Sequence, residues 1–204
     1  MTRQASRDQP PLISIGVASA AALAYEILLL RLFSVTQWHH TTYMVISLAL
    51  LGYGASGSLL GWWGSRWVRQ IRRVYPAALL LAGVTMIGCF LIAQRIAVHP
   101  EELLWAPGQM GRLIGVYVLL AVPFLCVATA IGLALMHYRP QAVYASDLLG
   151  AGGGGVVAVL LLYELHPMQA LRAVACLALA AAWIAAREVA PRSGWLAWGW
   201  LQSS

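Results

Sequence analysis

The feature that most constrains this chain is a series of six apolar stretches, each long enough to cross a bilayer as a helix. They cover residues 11–35, 42–64, 75–98, 113–136, 143–165 and 168–186. A helix needs about 20 apolar residues to cross a hydrocarbon core of roughly 30 Å. Backbone polar groups in lipid must be satisfied internally, and these stretches are too long for strands. We therefore predict an all-α fold, a polytopic bundle of six transmembrane helices forming a single domain over residues 1–204.

The composition excludes a water-soluble globular enzyme. Of the 204 residues, 61% are hydrophobic and only 10% are charged, whereas a typical soluble domain has about 25% charged residues. The formal net charge is +6, but the basic residues are scattered between apolar runs and form no continuous basic face. Nucleic acid is therefore not an expected partner, and the expected partner is the lipid bilayer.

The distribution of arginine predicts the orientation in the membrane. With the N-terminus in the cytoplasm, the cytoplasmic segments carry Arg3, Arg7, Arg66, Arg69, Arg72, Arg73, Arg139, Arg187 and Arg192. The opposite side carries only Arg95 and Arg112. Because cytoplasmic loops are enriched in basic residues, we predict a multi-pass inner (plasma) membrane protein with both termini in the cytoplasm. The tail 187–204, with Trp195, Trp198 and Trp200, is interpreted as a cytoplasmic interfacial anchor, and residues 99–112 as an outer loop that could form an interfacial helix.

Two stretches match the dinucleotide-binding pattern G-x-G-x-x-G, at residues 52–57 and 150–155. That function requires a preceding strand and an acidic residue about 20 positions later, and both stretches instead lie inside apolar spans. Small residues at intervals of four allow helix backbones to approach closely. We therefore interpret the glycines as helix-packing residues: Gly52, Gly57, Gly61, Gly150 and Gly154.

The position of these glycines within the chain also indicates how the spans are arranged. Six spans divide into two halves of three with opposite orientation, and the glycine-rich spans are the second and the fifth. Glycine-interrupted spans at equivalent positions of two halves point to a transporter site near the membrane midplane. A 3+3 inverted repeat is one interpretation, and two closely packed helices are the other.

Four ionisable residues stand out within the spans: Glu26, Arg31, Asp147 and Arg172. Each costs about 2.5–3.5 kcal/mol at the centre of a helix on insertion scales, so each needs a partner or a role. Glu26 could pair with Arg172 and Arg31 with Glu164, while Asp147 could meet Arg139 or the arginines of segment 66–73. Alternatively, Glu26 or Asp147 forms a proton or cation site.

No cofactor is predicted from the histidines and cysteines. Four histidines lie at the outer ends of the spans: His39, His40, His99 and His166. Binding of haem or a metal ion by these histidines is the alternative to having no cofactor. None of these shows ligand spacing. The three cysteines are interpreted as packing residues.

Three segments resemble the membrane-bound spermidine synthase-like family. YEILLLRLFS (residues 25–34) is similar to its first-span signature and LLGYGASGS (50–58) to its second-span glycine signature. YASDLLGA (144–151) resembles the signature of a later span, preceded by Pro123 and Phe124. The matches follow the family's order over most of residues 20–160. For six residues in these segments the resemblance implies a structural or transport-related role: Glu26, Arg31, Gly52, Gly57, Asp147 and Gly150.

In that family a multi-span module precedes a cytoplasmic Rossmann-like aminopropyltransferase domain. These 204 residues contain no strand–glycine–helix unit and no acidic catalytic loop, so the resemblance implies the membrane half only, without catalytic residues. We expect a module that is not an enzyme on its own. It would handle a small polar or cationic solute or partner a separate cytoplasmic enzyme. The alternative is an anchoring subunit of a larger membrane complex, such as an electron-transfer complex.

Overall fold

The computed structural model describes residues 9–36, 41–95 and 107–190, and within these ranges every regular element is a helix. The helices are α1 (Leu12–Thr36), α2 (Thr41–Arg69), α3 (Ile71–Arg95), α4 (Pro107–His137), α5 (Pro140–Glu164) and α6 (Pro167–Val189). All six are long and apolar enough to cross a membrane. The predicted fold class, an all-α bundle of membrane-length helices, is confirmed, and the chain is an integral membrane protein.

The helix boundaries differ from the predicted spans where polar residues continue a helix. Segment 66–74 was expected to be a connection, but only Gln70 separates α2 from α3. The start of α4 at Pro107 takes in part of the predicted outer loop, and α6 continues into the predicted tail as far as Val189. Hydropathy measures the apolar part of a span, whereas a helix also includes the polar turns beyond it. The tail tryptophans and residues 96–106 lie outside the described residues.

Two pairs of helices run parallel in close contact. Gly150 of α5 lies against Gly16 of α1, and Gly154 lies against Ala20. Residue numbers therefore increase in the same direction along both helices. On α2, Leu60 lies against Gly132 of α4, and Gly64 and Met136 meet one turn further along. α1–α5 and α2–α4 are the two most extensive helix contacts in the described part of the chain.

The pattern of helix contacts has the symmetry of an inverted repeat. Exchanging α1, α2 and α3 with α4, α5 and α6 converts the α1–α5 contact into α4–α2, and the α3–α4 contact into α6–α1. Both members of each pair are present and similar in extent, and α3–α6 maps onto itself. Since α1 is parallel to α5, and α5 returns from α4 through a short turn, the two halves have opposite orientations. The chain therefore has the 3+3 arrangement, although the two halves share little side-chain identity.

The core lies where α1, α3, α4 and α6 meet. Tyr25, Tyr75 and Phe124 are among its largest fully buried side chains, and the rings of Tyr25 and Phe124 are 5.5 Å apart. Most of α5 is exposed outside this core, including Leu149 and Tyr163. An exposed apolar surface of this extent suits contact with lipid or another membrane-embedded helix.

Candidate functional site

Asp147 and Glu26 lie along one side of α1, where α5 packs against it. The Ser19 hydroxyl on α1 donates a 2.5 Å hydrogen bond to Oδ1 of Asp147 on α5. Ser19 and Glu26 are seven residues apart, so they lie on the same face of α1, about 10 Å apart along its axis. The close approach of α5 to α1 at Gly150 therefore brings Asp147 to the face of α1 that carries Glu26.

A third helix contributes to the same region. The Tyr53 hydroxyl on α2 lies within electrostatic range of the carboxylates of both Glu26 and Asp147. α2 and α5 each contact both α1 and α4, whereas no extensive contact joins α2 to α5 in the described ranges. We name Ser19, Glu26, Tyr53 and Asp147 the acidic cluster. It contains two residues predicted from the sequence, Glu26 and Asp147, and two that the sequence pattern did not indicate, Ser19 and Tyr53.

The expected intramembrane ion pairs are not formed among the described residues. Arg172 is exposed on α6, and the structure records no ion pair between it and Glu26. Glu26 lies about 120° around α1 from Ser14, the residue that meets α6. Glu26 therefore lies on a different side of α1 from the one that meets α6. The recorded partner of Asp147 is Ser19 rather than an arginine.

The pairing of Arg31 with Glu164 is also wrong within the described chain. Both side chains are exposed, and no ion pair between them is recorded, although Arg31 makes another interaction. Exposed long side chains near helix ends can extend to the membrane interface, where their charged groups are hydrated.

The predicted packing glycines fall into two groups. A Cβ on Gly52 would lie 2.7 Å from Phe124 Cβ, and one on Gly150 would lie 2.6 Å from Gly16 Cα, so both backbones touch the neighbouring helix. Gly154 makes the same approach to Ala20. In contrast, Gly57 and Gly61 have no described atom within 4 Å of an added Cβ. The packing prediction is wrong for these two within the chain, because they lie away from the face of α2 that meets α4.

A second polar cluster, which the sequence did not predict, joins the start of α1 to the end of α6. The Glu188 carboxylate accepts hydrogen bonds from the Ile13 and Ser14 backbone N–H groups, at 3.3 and 3.1 Å. It also accepts one from the Ser14 hydroxyl at 2.6 Å, and this hydroxyl lies 2.9 Å from the Tyr75 hydroxyl on α3. A carboxylate here satisfies amides in the first turn of α1 and complements the positive end of the helix. The only sequence signal was an isolated acid beside an arginine at the end of the last span.

The Tyr25 hydroxyl is the only buried side-chain polar atom without a hydrogen-bond partner among the described residues. Tyr25 precedes Glu26 in the chain, but its ring is fully buried in the core. Adjacent residues on a helix point about 100° apart. At the start of the first-span motif, the tyrosine therefore lies in the core, whereas the glutamate is only partly buried on another side of α1.

The histidine hypothesis concerns residues that are mostly outside the described ranges, namely His39, His40 and His99. His166 is exposed immediately before α6. The parts of the chain that the structure describes contain no group of three His, Cys, Asp or Glu side chains able to hold a metal ion.

Comparisons with known proteins identify no relative for this fold and site. No protein-family model matches the chain, and neither a curated protein nor a solved structure is significantly similar to it. The functional argument therefore depends on the arrangement of the chain's own residues.

Proposed function

We propose that this protein binds a small organic cation within the membrane and moves it across, using the acidic cluster between α2 and α5. The observation that carries the proposal is the hydrogen bond from the Ser19 hydroxyl to Asp147, which brings a second carboxylate to the face of α1 that carries Glu26. A carboxylate at membrane depth is costly unless it is protonated or meets a cation. No ion pair of Glu26 with another described residue is recorded, so a cationic ligand would supply the missing charge.

The symmetry of the bundle supports a transport role. In transporters built from inverted repeats, the site lies at the interface of the repeats near the membrane midplane. Here α2 and α5 occupy equivalent positions in the two halves, and the acidic cluster draws residues from both. Both helices also present glycines with no neighbour at the Cβ position, among them Gly57 and Gly153.

The resemblance to spermidine synthase-like membrane modules supports a polyamine-like cation as the first ligand to test. The motifs that carry this resemblance contain three of the four cluster residues: Glu26, Tyr53 and Asp147. A diamine or triamine could contact both carboxylates at once, because its charges are separated along a flexible chain. Partnership with a separate cytoplasmic enzyme would add chemistry that this chain's own residues do not provide.

Glu26→Gln and Asp147→Asn are each expected to weaken spermidine binding by about tenfold or more, because a hydrogen bond to a charged group contributes about 1.5–3 kcal/mol. Binding is measured on the purified protein in nanodiscs with radiolabelled spermidine. The matched control is Glu164→Gln, an exposed acid at the end of α5, which is expected to leave binding unchanged.

The same variants distinguish a ligand site from a structural ion pair. For a ligand site, Glu26→Gln lowers the melting temperature little, and adding Arg172→Gln rescues nothing. A large loss of stability that Arg172→Gln restores would instead demonstrate a Glu26–Arg172 pair. Unchanged spermidine binding in both single variants would refute the proposed site.

We propose that the protein lies in the inner membrane with both termini in the cytoplasm. Four arginines from the predicted cytoplasmic segments support this orientation, since Arg69, Arg72, Arg73 and Arg187 lie together at one end of the bundle. Reporter fusions after Arg72 and after Ser204 are expected to give cytoplasmic signals. A periplasmic signal from either fusion would contradict the proposed orientation.

A further inference from the structure

The end of the bundle opposite Arg112 and Arg172 contains a large open cavity. Its volume is about 1120 Å³, and it lies among the ends of α2, α4 and α6, the start of α3 and the chain just before α1. Pockets of this size accommodate ligands larger than a simple ion. We name it the basic cavity, after the residues that line it with charge or an aromatic ring: Arg69, Arg72, Arg73, His137, Trp183 and Arg187.

Among the described residues, the lining carries four guanidinium groups and a single carboxylate, that of Glu188. This carboxylate already accepts hydrogen bonds from the Ile13 and Ser14 amides and the Ser14 hydroxyl. Its charge is therefore partly complemented by the first turn of α1. Within the described lining, Arg69, Arg73 and Arg187 therefore outnumber this carboxylate even when Arg72, which makes a further interaction, is set aside.

Two of the arginines occupy an unfavourable position for a cation. Arg72 and Arg73 lie in the first turn of α3, which contains no acidic residue. The N-terminus of a helix carries partial positive charge, so cations there raise the free energy of the folded protein and a bound anion lowers it. The helix N-terminus therefore favours a bound anion, as do the positive charges on the other residues of the lining.

The fourth arginine is held in place by an aromatic ring. The Arg187 guanidinium carbon lies 3.9 Å from the centre of the Trp183 ring, a cation–π contact. Trp183 is itself largely exposed, as is typical of tryptophan near the membrane–water interface. The cavity thus combines planar phosphate-binding groups with an aromatic side chain suited to lipid.

We propose that the basic cavity binds the phosphate group of an anionic phospholipid. Guanidinium groups bind phosphate through paired, charge-assisted hydrogen bonds. Basic pockets between transmembrane helices on the cytoplasmic side are suited to anionic headgroups. The site is separate from the acidic cluster, and the proposal does not depend on cation transport. A soluble phosphate compound carries the same phosphate group, and the experiment below distinguishes it from a lipid.

The test compares phosphatidylglycerol with phosphatidylcholine on purified, delipidated protein, using native mass spectrometry and thermal unfolding in detergent. Wild-type protein is expected to retain phosphatidylglycerol and be stabilised by it, and to respond little to phosphatidylcholine. The double variant Arg69→Gln/Arg73→Gln is expected to bind phosphatidylglycerol about tenfold more weakly or worse, since each arginine near the surface contributes substantially to attraction for anionic lipid. Arg112→Gln/Arg172→Gln removes equal charge at the other end and is expected to bind as wild type.

Inorganic phosphate and glycerol 3-phosphate form the second arm. If they stabilise the protein as strongly as phosphatidylglycerol, and Arg69→Gln/Arg73→Gln removes this effect, the occupant is a soluble phosphate compound and the lipid assignment is overturned. Equal weakening by both double variants, or none by either, would overturn the site itself. If Arg69→Gln/Arg73→Gln does not fold, the single variant Arg69→Gln, which alters an exposed side chain, is measured and must show a smaller loss in the same direction.

Discussion

Replacing Gly154 by leucine is expected to destabilise the bundle by roughly 3 kcal/mol, the upper part of the usual range for overpacking. An added Cβ at this position would lie 2.5 Å from the Cα of Ala20. The clash is with backbone rather than a flexible side chain, so α5 would have to move away from α1. Because α5 has few other close contacts, the displacement would weaken most of its packing.

Gly57→Leu provides the matched control, since it adds the same atoms to a glycine in the symmetry-related helix. No described atom lies within 4 Å of an added Cβ there, so the melting temperature is expected to stay close to that of the wild type. Both variants are compared in the same detergent by thermal unfolding. If Gly154→Leu has the same melting temperature as Gly57→Leu and the wild type, the close contact between α1 and α5 is wrong. If Gly57→Leu alone is destabilised, that face of α2 packs against a partner.

Glu188→Ala is expected to cost about 3 kcal/mol, because a hydrogen bond to a charged group contributes about 1.5–3 kcal/mol and this carboxylate accepts three of them. The Ser14 hydroxyl is buried and would lose its 2.6 Å carboxylate partner. The amides of Ile13 and Ser14 would lose their acceptor at the same time. The readout is again the melting temperature in detergent.

A double-mutant cycle with Ser14→Ala assigns this loss to the contact. The two changes are expected to be non-additive, because they remove opposite ends of one hydrogen bond. Glu164→Ala, an exposed acid near the end of α5, is the control and should cost little. Additive losses for Ser14→Ala and Glu188→Ala would show that Glu188 acts elsewhere.

The number and type of secondary-structure elements were predictable from sequence because they depend on local properties. An apolar run of membrane length has one stable solution in lipid, a helix, whatever its neighbours are. Prolines at the starts of α5 and α6 also mark their first turns, where the missing N–H costs nothing. The boundaries were less predictable, since polar residues such as Arg69 extend a helix past the apolar region.

The partners of individual residues depended on tertiary structure. Glycines occur on several faces of α2, and spacing cannot distinguish Gly52, which touches α4, from Gly57, which faces open space. Likewise, α1 presents Ser14 and Glu26 to different neighbours. Glu188 meets Ser14 across a separation of 174 residues, which no local pattern encodes. The sequence alone determined six helices and where each lies along the chain, because hydrophobicity acts within a segment. Only the packing of the helices against one another decided which small residues touch and which charges meet, because these depend on the rotation and register of each helix.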